Sequence, residues 1–250
     1  MKALITGASS GIGRDMARVL SDKGYDLILV ARRKNRLEKL QKELNTNVEI
    51  IELDVSTTFN CMKLYNKVKK QDIDIVINNA GFGLAGNFDE TKLERELDMI
   101  DLNIKTVHTL TKLFLRDFKK KNKGYILNVS SSAAFQPGPL MATYYSTKSY
   151  VYNMTMAIYE ELRREKSNVY VGCLCPGPVN TEFNKVAKVQ FSIKGLDSYK
   201  VSEYAINKML KRKLVIIPGT LMKLTYYFGK LVPRKLKLRI TYNIQHRKLK

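Results

Sequence analysis

The sequence predicts an α/β domain in which a parallel sheet is covered by helices on both faces. Three observations predict it. Short apolar runs of strand length alternate with longer stretches of amphipathic period along the chain. The first run, Lys2-Ala3-Leu4-Ile5, feeds a glycine-rich turn, Thr6-Gly7-Ala8-Ser9-Ser10-Gly11-Ile12-Gly13. At 250 residues, with no Pro/Gly/Ser-rich linker and no internal repeat, the chain is expected to be one domain, residues 1–250, able to bury a two-sided core.

Strands are expected at 2–6, 26–30, 48–51, 73–78, 124–130, 168–175 and 214–217, and helices at 12–23, 34–44, 59–70, 92–120, 142–166 and 203–211. This alternation gives a doubly wound seven-stranded sheet with right-handed crossovers. Such sheets bind ligands beyond the carboxyl ends of their strands, so the residues just after each strand carry the functional information.

After the first strand, Gly7, Gly11 and Gly13 allow a turn with positive φ and a close backbone approach, while Ser9, Ser10 and Ile12 lead into a helix whose N–H groups favour an anion. That is a pyrophosphate cradle, although G-x-x-x-G-x-G departs from the common G-x-G-x-x-G spacing and a tight turn without ligand is the alternative. After the second strand stand Arg32 and Arg33, where an acidic residue would bind a ribose 2′-hydroxyl and an arginine accommodates a 2′-phosphate. Cations are disfavoured at a helix N-terminus, so the pair favours NADP(H) over NAD(H); a solvated helix start is the other explanation. After the third strand, Asp54 either accepts from an adenine amino group with Val55 packing the ring, or caps the next helix. After the fourth, Asn78-Asn79-Ala80-Gly81 offers small residues and amides that can tie strand ends together.

The reactive cluster lies in mid-chain. Ser130-Ser131-Ser132 follows the fifth strand, and Tyr144 stands four positions before Lys148 on one helix face. An ammonium beside a phenol favours phenolate and draws its pKa towards the working range. The Y-x-x-x-K pattern also occurs at Tyr65/Lys69, Tyr204/Lys208 and Tyr226/Lys230, but only Tyr144/Lys148 follows a strand-end serine in the region facing the glycine turn.

With Thr6-Gly7-x-x-x-Gly11-x-Gly13, Asn78-Asn79-Ala80-Gly81, Asn103, Ser131, Tyr144-x-x-x-Lys148 and Cys175-Pro176-Gly177-Pro178-Val179-Asn180-Thr181 in this order, residues 2 to 181 resemble the classical short-chain dehydrogenase/reductase family. The resemblance implies a single Rossmann-type domain with strand order 3-2-1-4-5-6-7. It implies an oxidoreductase that interconverts a ketone or aldehyde and an alcohol by hydride transfer. Tyr144 would be the acid/base, Lys148 would hold the nicotinamide ribose and depress the tyrosine pKa, Ser131 would bond the substrate oxygen, and Asn103 would seat a relay water. Pro176, Gly177, Val179 and Thr181 would lie at the nicotinamide end, and Asn79, Ala80 and Gly81 would line the cofactor's path. The choice of Ser131 over its two neighbours rests on family spacing. A homodimer or homotetramer, formed through helices 92–120 and 142–166, is also implied.

Composition bounds the alternatives. Two histidines, His108 and His246, argue against a histidine-rich metal site or a Ser-His-Asp hydrolase, and three cysteines form no disulfide framework. No leader or membrane-spanning run is apparent, so the expected location is the cytoplasm. A net charge of +21 suits an anionic cofactor, nucleic acid or an anionic membrane, or simply lysine-rich solvated helix faces. A dinucleotide-sensing regulator or nucleic-acid binder on the same fold is the rival function, but such a protein has no need of Ser131, Tyr144 and Lys148. Residues 182–201, with Phe183, Val186, Val189, Phe191 and Ile193, read as a mobile substrate lid, and Phe135, Leu140 and Met141 as an apolar opposite wall or core packing. Residues 220–250 form a basic amphipathic extension, expected either to cover the sheet edge or to touch an anionic bilayer, in which case the substrate is lipid-like.

Overall fold

The computed structural model describes residues 1–187, 195–229 and 231–249, with side chains described as far as residue 247. Its sheet has seven strands in the order β3-β2-β1-β4-β5-β6-β7, and every pairing is parallel. The strands are β1 Lys2–Thr6, β2 Asp26–Ala31, β3 Val48–Glu52, β4 Ile75–Asn78, β5 Gly124–Val129, β6 Val169–Leu174 and β7 Val215–Ile216. The helices are α1 Gly11–Asp22, α2 Lys34–Glu43, α3 Thr58–Val68, α4 Leu93–Ile100, α5 Val107–Lys121, α6 Ala142–Arg164, α7 Phe183–Ala187, α8 Ser198–Leu210, α9 Thr220–Phe228 and α10 Arg234–Leu249.

Successive side chains of a strand point to opposite faces, and the two halves of the core follow that period. Ala3, Ile5, Leu27, Leu29, Ile75 and Ile77 face one layer, where Met16 and Leu20 of α1, Leu37 of α2 and Ile206 of α8 cover them. Leu4, Ile28, Val30, Val76 and Ile126 face the other, under Leu64 of α3, Phe114 and Phe118 of α5 and Leu162 of α6. Burial on both faces explains why these strands are continuously apolar rather than alternating.

A polar ladder runs through this dry interior. Asn78 Nδ2 donates to Asn128 Oδ1 at 2.9 Å and to Thr111 Oγ1 at 3.0 Å, and Asn128 Nδ2 donates to Thr155 Oγ1 at 3.0 Å. It clamps β4 and β5 to α5 and α6, the elements that carry the reactive cluster.

Three elements differ from sequence expectation. The helix expected over 92–120 is interrupted, because Asp101–Thr106 forms a π-helical turn between α4 and α5. The helix expected at 203–211 starts earlier, at Ser198, because the Asp197 side chain accepts from Lys200 N at 2.9 Å and caps it. Strand β7 is two residues long, since only Val215 and Ile216 pair with β6.

Replacing Asn128 with alanine strips partners from Asn78, Thr111 and Thr155 in a buried region. Urea unfolding should show a loss of about 1–3 kcal/mol with an unchanged slope. An unchanged midpoint would mean that the ladder contributes nothing net.

Candidate active site

The glycine turn leaves β1 with Gly7 at φ 68° and Gly11 at φ 54°, conformations that a side chain rarely adopts. Space is equally restrictive. A Cβ on Gly7 would stand 2.9 Å from Ala80 Cα, and one on Gly11 would stand 3.1 Å from Thr181 Cβ. Gly13 packs against the Asn79 amide and the Gly7 carbonyl, so it brings α1 onto the sheet instead of lining the cleft. Asn79 Nδ2 donates to Thr6 O at 2.9 Å and Gly7 O at 3.2 Å, fixing the end of β4 to the end of β1.

Beyond the carboxyl ends of the strands lies an elongated cavity of about 510 Å³. Gly7, Ser9, Ser10, Gly11 and Ile12 line one side, with Arg32, Arg33, Asp54 and Val55 at one end. Asn79, Ala80 and Gly81 lie along its middle, and Ser131, Tyr144, Lys148, Pro176, Gly177, Val179 and Thr181 surround the other end. Among the candidate site residues, Gly13 and Asn103 are set back from this lining.

At the arginine end, Arg33 Nη2 donates to Ser9 Oγ at 3.0 Å and Ser10 Oγ at 2.8 Å, while Arg33 Nη1 pairs with Glu182 Oε2 at 2.8 Å. Arg36, one helical turn further on, pairs with the other oxygen of Glu182. The two guanidiniums hold that carboxyl down at about 2. Arg32 turns to Asp54, 3.5 Å away. Asp54 does not cap α3: its carboxylate accepts from Ser56 N, and Thr57 Oγ1 accepts from Asn60 N at 3.1 Å as the cap.

At the opposite end, α6 places Tyr144 and Lys148 on one buried face. The three serines are held differently. Ser130 Oγ donates to Lys148 O at 2.7 Å, Ser131 Oγ accepts from Ala133 N at 3.1 Å and donates to Pro176 O at 3.5 Å beside the Tyr144 phenol, and Ser132 N donates to Pro176 O at 2.8 Å. Lys148 Nζ donates to Val129 O at 3.0 Å and lies 5.9 Å from the centre of the Tyr144 ring. Burial lowers the lysine pKa to about 8. Burial pushes the tyrosine well above its ordinary value, and the neighbour that draws it back is the Ser131 hydroxyl.

Asn103 sits on the π turn, whose extra residue rotates the side chain inward. It is fully buried. Its Nδ2 donates to Phe82 O at 2.9 Å and Thr147 Oγ1 at 3.1 Å, and its Oδ1 accepts from Phe82 N at 3.1 Å. Both amide protons are committed, and the second lone pair of Oδ1 is left for any water. A Cβ on Gly81 would stand 2.8 Å from that oxygen and 3.4 Å from Lys148 Nζ, so glycine permits the two to approach.

The walls differ from expectation. Met141 lines the cavity, but Phe135 packs against Tyr152 and Tyr226, with ring centres 5.4 and 4.4 Å away. It belongs to a small cluster with Met222. Of the expected lid, Phe183 packs on Tyr144 with ring centres 5.4 Å apart and planes tilted by 50°, and Val186 reaches the cavity, whereas Val189, Phe191 and Ile193 lie outside the described residues. The C-terminal extension is helical and folds back: Gln136 Nε2 donates to Thr241 Oγ1 at 3.0 Å, and Gln245 donates to the Tyr145 hydroxyl in the cavity wall. Sequence gave no signal for Gln245, about 100 residues from its partner. Arg36 did carry one, since it shares a helix face with Arg33.

The chain belongs to the short-chain dehydrogenase family: a family model described as "short chain dehydrogenase" matches residues 1–190. It is therefore an oxidoreductase built on a dinucleotide-binding fold. An uncharacterized oxidoreductase of Staphylococcus epidermidis is 36% identical over 182 residues, covering 72% of this chain and 78% of that protein. A very-long-chain 3-oxoacyl-CoA reductase of Pyrenophora tritici-repentis is 33% identical over 196 residues, covering 74% of this chain and 57% of that longer protein. A Sphingobium yanoikuyae short-chain dehydrogenase solved with NADPH superposes at TM-score 0.82 and 28% identity, covering 92% of this chain and 93% of that one. A Burkholderia phymatum member solved with NAD shares the fold at TM-score 0.84 and 21% identity, covering 95% of both chains.

The folded Lys148 has a depressed pKa, so its charged form weakens the fold at neutral pH and the penalty is relieved as pH rises through about 8 towards the unfolded value. Lys148→Met should therefore be the more stable protein at pH 7 by roughly 2–3 kcal/mol, and the gap should shrink to under about 1 kcal/mol by pH 10. Unfolding curves at the two pH values check this; a gap that widens with pH would contradict it.

Proposed function

We propose that this chain is an NADP(H)-dependent oxidoreductase that interconverts an apolar, lipid-like ketone or aldehyde and its alcohol, with Tyr144 as acid/base. One observation carries the reading. A single cavity holds, at one end, a guanidinium spread over two serine hydroxyls and, at the other, a buried phenol beside the Ser131 hydroxyl with an ammonium one helical turn away. The residues fit a dinucleotide. Gly7 and Gly11 would let the turn's backbone approach the pyrophosphate, Arg33 with Ser9 and Ser10 would supply donors for a 2′-phosphate, Val55 would flank the adenine, and Lys148 would hold the nicotinamide ribose. The bound cofactor supplies or accepts the hydride.

The protein's own part is positioning and proton transfer. Ser131 and Tyr144 direct their hydroxyls at one point, where a carbonyl oxygen would accept from both. During reduction the phenol gives up its proton as negative charge develops on that oxygen. Burial disfavours phenolate and the Ser131 hydroxyl opposes that; the Lys148 ammonium one turn along α6 would add to this opposition when the proton is transferred. The phenolate would be reprotonated through the Lys148 ammonium, which in turn would take a proton from a water whose other hydrogen bonds to the open lone pair of Asn103 Oδ1. Phe82, Met141, Phe183 and Val186 give the substrate end an apolar wall, which suits an acyl or steroid-like ketone. The 3-oxoacyl-CoA reductase relative supports such a substrate.

Two further features belong to this reading. The outer faces of α5 and α6, where His108 Nδ1 and Tyr150 Oη meet at 2.8 Å, would join copies of the chain into a homodimer or homotetramer. Among the described residues no helix is long and apolar enough to cross a membrane. Yet Leu221, Leu224, Tyr227 and Phe228 of α9 are each more than half exposed, and residues 220–250 contain no carboxylate. A cytoplasmic enzyme would use that surface to rest on an anionic bilayer.

NADPH consumption over a panel of ketones is the first assay. Tyr144→Phe should lower turnover roughly 10²–10⁴-fold while NADPH still binds, because the carbonyl oxygen loses its proton donor. Near-normal turnover would exclude the phenol as the acid. In vesicle flotation, the full-length protein should float with phosphatidylserine vesicles, and the triple change Lys223→Glu, Lys235→Glu, Arg239→Glu should abolish it. Equal absence from vesicles in both proteins would remove the membrane contact.

A further inference from the structure

Two guanidiniums and one carboxylate share the arginine end of the cavity. Glu182 presents one oxygen to Arg33 Nη1 at 2.8 Å and the other to Arg36 Nη1. Arg33 uses its remaining donors on Ser9 and Ser10 at the start of the glycine turn. All three charged side chains are about two-fifths exposed, so the cluster opens to solvent and is held less firmly than a buried pair. Its formal charge is +1, two cations against one anion.

Resting on the NADP(H) reading above, we propose that Glu182 is an internal occupant of the 2′-phosphate subsite, displaced when a 2′-phosphorylated dinucleotide binds, and that Glu182 and Arg36 together set the chain's cofactor preference. A carboxylate bridging two guanidiniums uses the contacts that a phosphate uses, with fewer oxygens and about half the charge. A 2′-phosphate brings about −1.5 to −2, so exchanging it for Glu182 takes the cluster from +1 to near neutrality. Binding without displacement would set two anions side by side between the same donors. Displacement frees both arginines, which makes Arg36 a phosphate ligand beside Arg33. An unphosphorylated dinucleotide demands no such exchange. Its neutral 2′-hydroxyl can donate to the resident carboxylate, which does the work of the acidic residue absent after β2. Glu182 thus taxes NADP(H) and spares NAD(H), and the preference that Arg33 confers is partly masked.

Glu182 also links the two ends of the cavity. It lies between Thr181, which the glycine turn touches, and Phe183, whose ring packs at a tilt against Tyr144. The residue that yields to the phosphate is thereby next in sequence to the one that walls the substrate end.

Equilibrium titration of the full-length protein with NADPH and with NADH, read by the fluorescence of the bound nicotinamide, tests the proposal in wild type, Glu182→Gln, Arg36→Ala and Arg33→Ala. Glu182→Gln should tighten NADPH at least threefold and leave NADH unchanged or weaker. Arg36→Ala should weaken NADPH at least threefold without affecting NADH, which also reports that the variant is folded. An unaltered ratio of the two dissociation constants in Glu182→Gln, in a wild type that prefers NADPH through Arg33, would overturn the role of Glu182 and leave the cofactor reading standing. Equal binding of both dinucleotides in wild type that stays equal in Glu182→Gln would overturn both.

Discussion

An ammonium group held inside a protein next to a backbone carbonyl is costly, and the reactive end of this cavity is arranged around one. Lys148 Nζ donates to Val129 O at the end of β5, while the Lys148 carbonyl accepts from Ser130 one residue further along. These two bonds, running in opposite senses, fix α6 against β5 both along and across its axis. Tyr144, one turn before Lys148, and Ser131, one residue after Ser130, are thereby carried on two elements that the clamp holds together. The price of burying the amine is a pKa drawn down to about 8. A structural role alone would not demand so expensive a group, since a methionine fills similar volume without desolvation.

The rest of the fold delivers partners to that clamp. The Asn78–Asn128–Thr155 ladder holds β4, β5 and α6 in register from below. The π turn aims Asn103 at the loop that carries Gly81 and Phe82, so the wall of the cavity is tied to the same framework. At the far end the cleft is electropositive and open, a suitable entry for an anionic ligand. Much of the net charge of +21 is spread elsewhere, over helix surfaces and the C-terminal extension, whose side chains include no carboxylate.

Much of this was legible in sequence because the information is local. The central strands are largely continuous apolar runs, strand ends carry their own polar signatures, and Tyr144 and Lys148 share a face by helical period alone. What sequence could not show depends on tertiary contact or on a competing local choice. The π turn at Asp101–Thr106 has no periodic signal, since the surrounding pattern remains helical. Asp54 and Thr57 both have capping side chains, and only the backbone geometry decides that Thr57 takes the role. Phe135 reads as a pocket wall until Tyr226 of α9 arrives to cover it. Gln245 reaches the site only because α10 folds back across the substrate end.

In the proposed function the hydroxyls of Ser131 and Tyr144 and the ammonium of Lys148 would converge on the reactive end of a dinucleotide laid along the glycine turn. A crystal structure of the full-length protein grown with NADP⁺ measures this most directly. The account predicts the nicotinamide ribose within hydrogen-bond distance of Lys148 Nζ and the ring beside the Tyr144 hydroxyl. A dinucleotide bound away from the glycine turn, or a Tyr144 hydroxyl pointing out of the nicotinamide pocket, would contradict it.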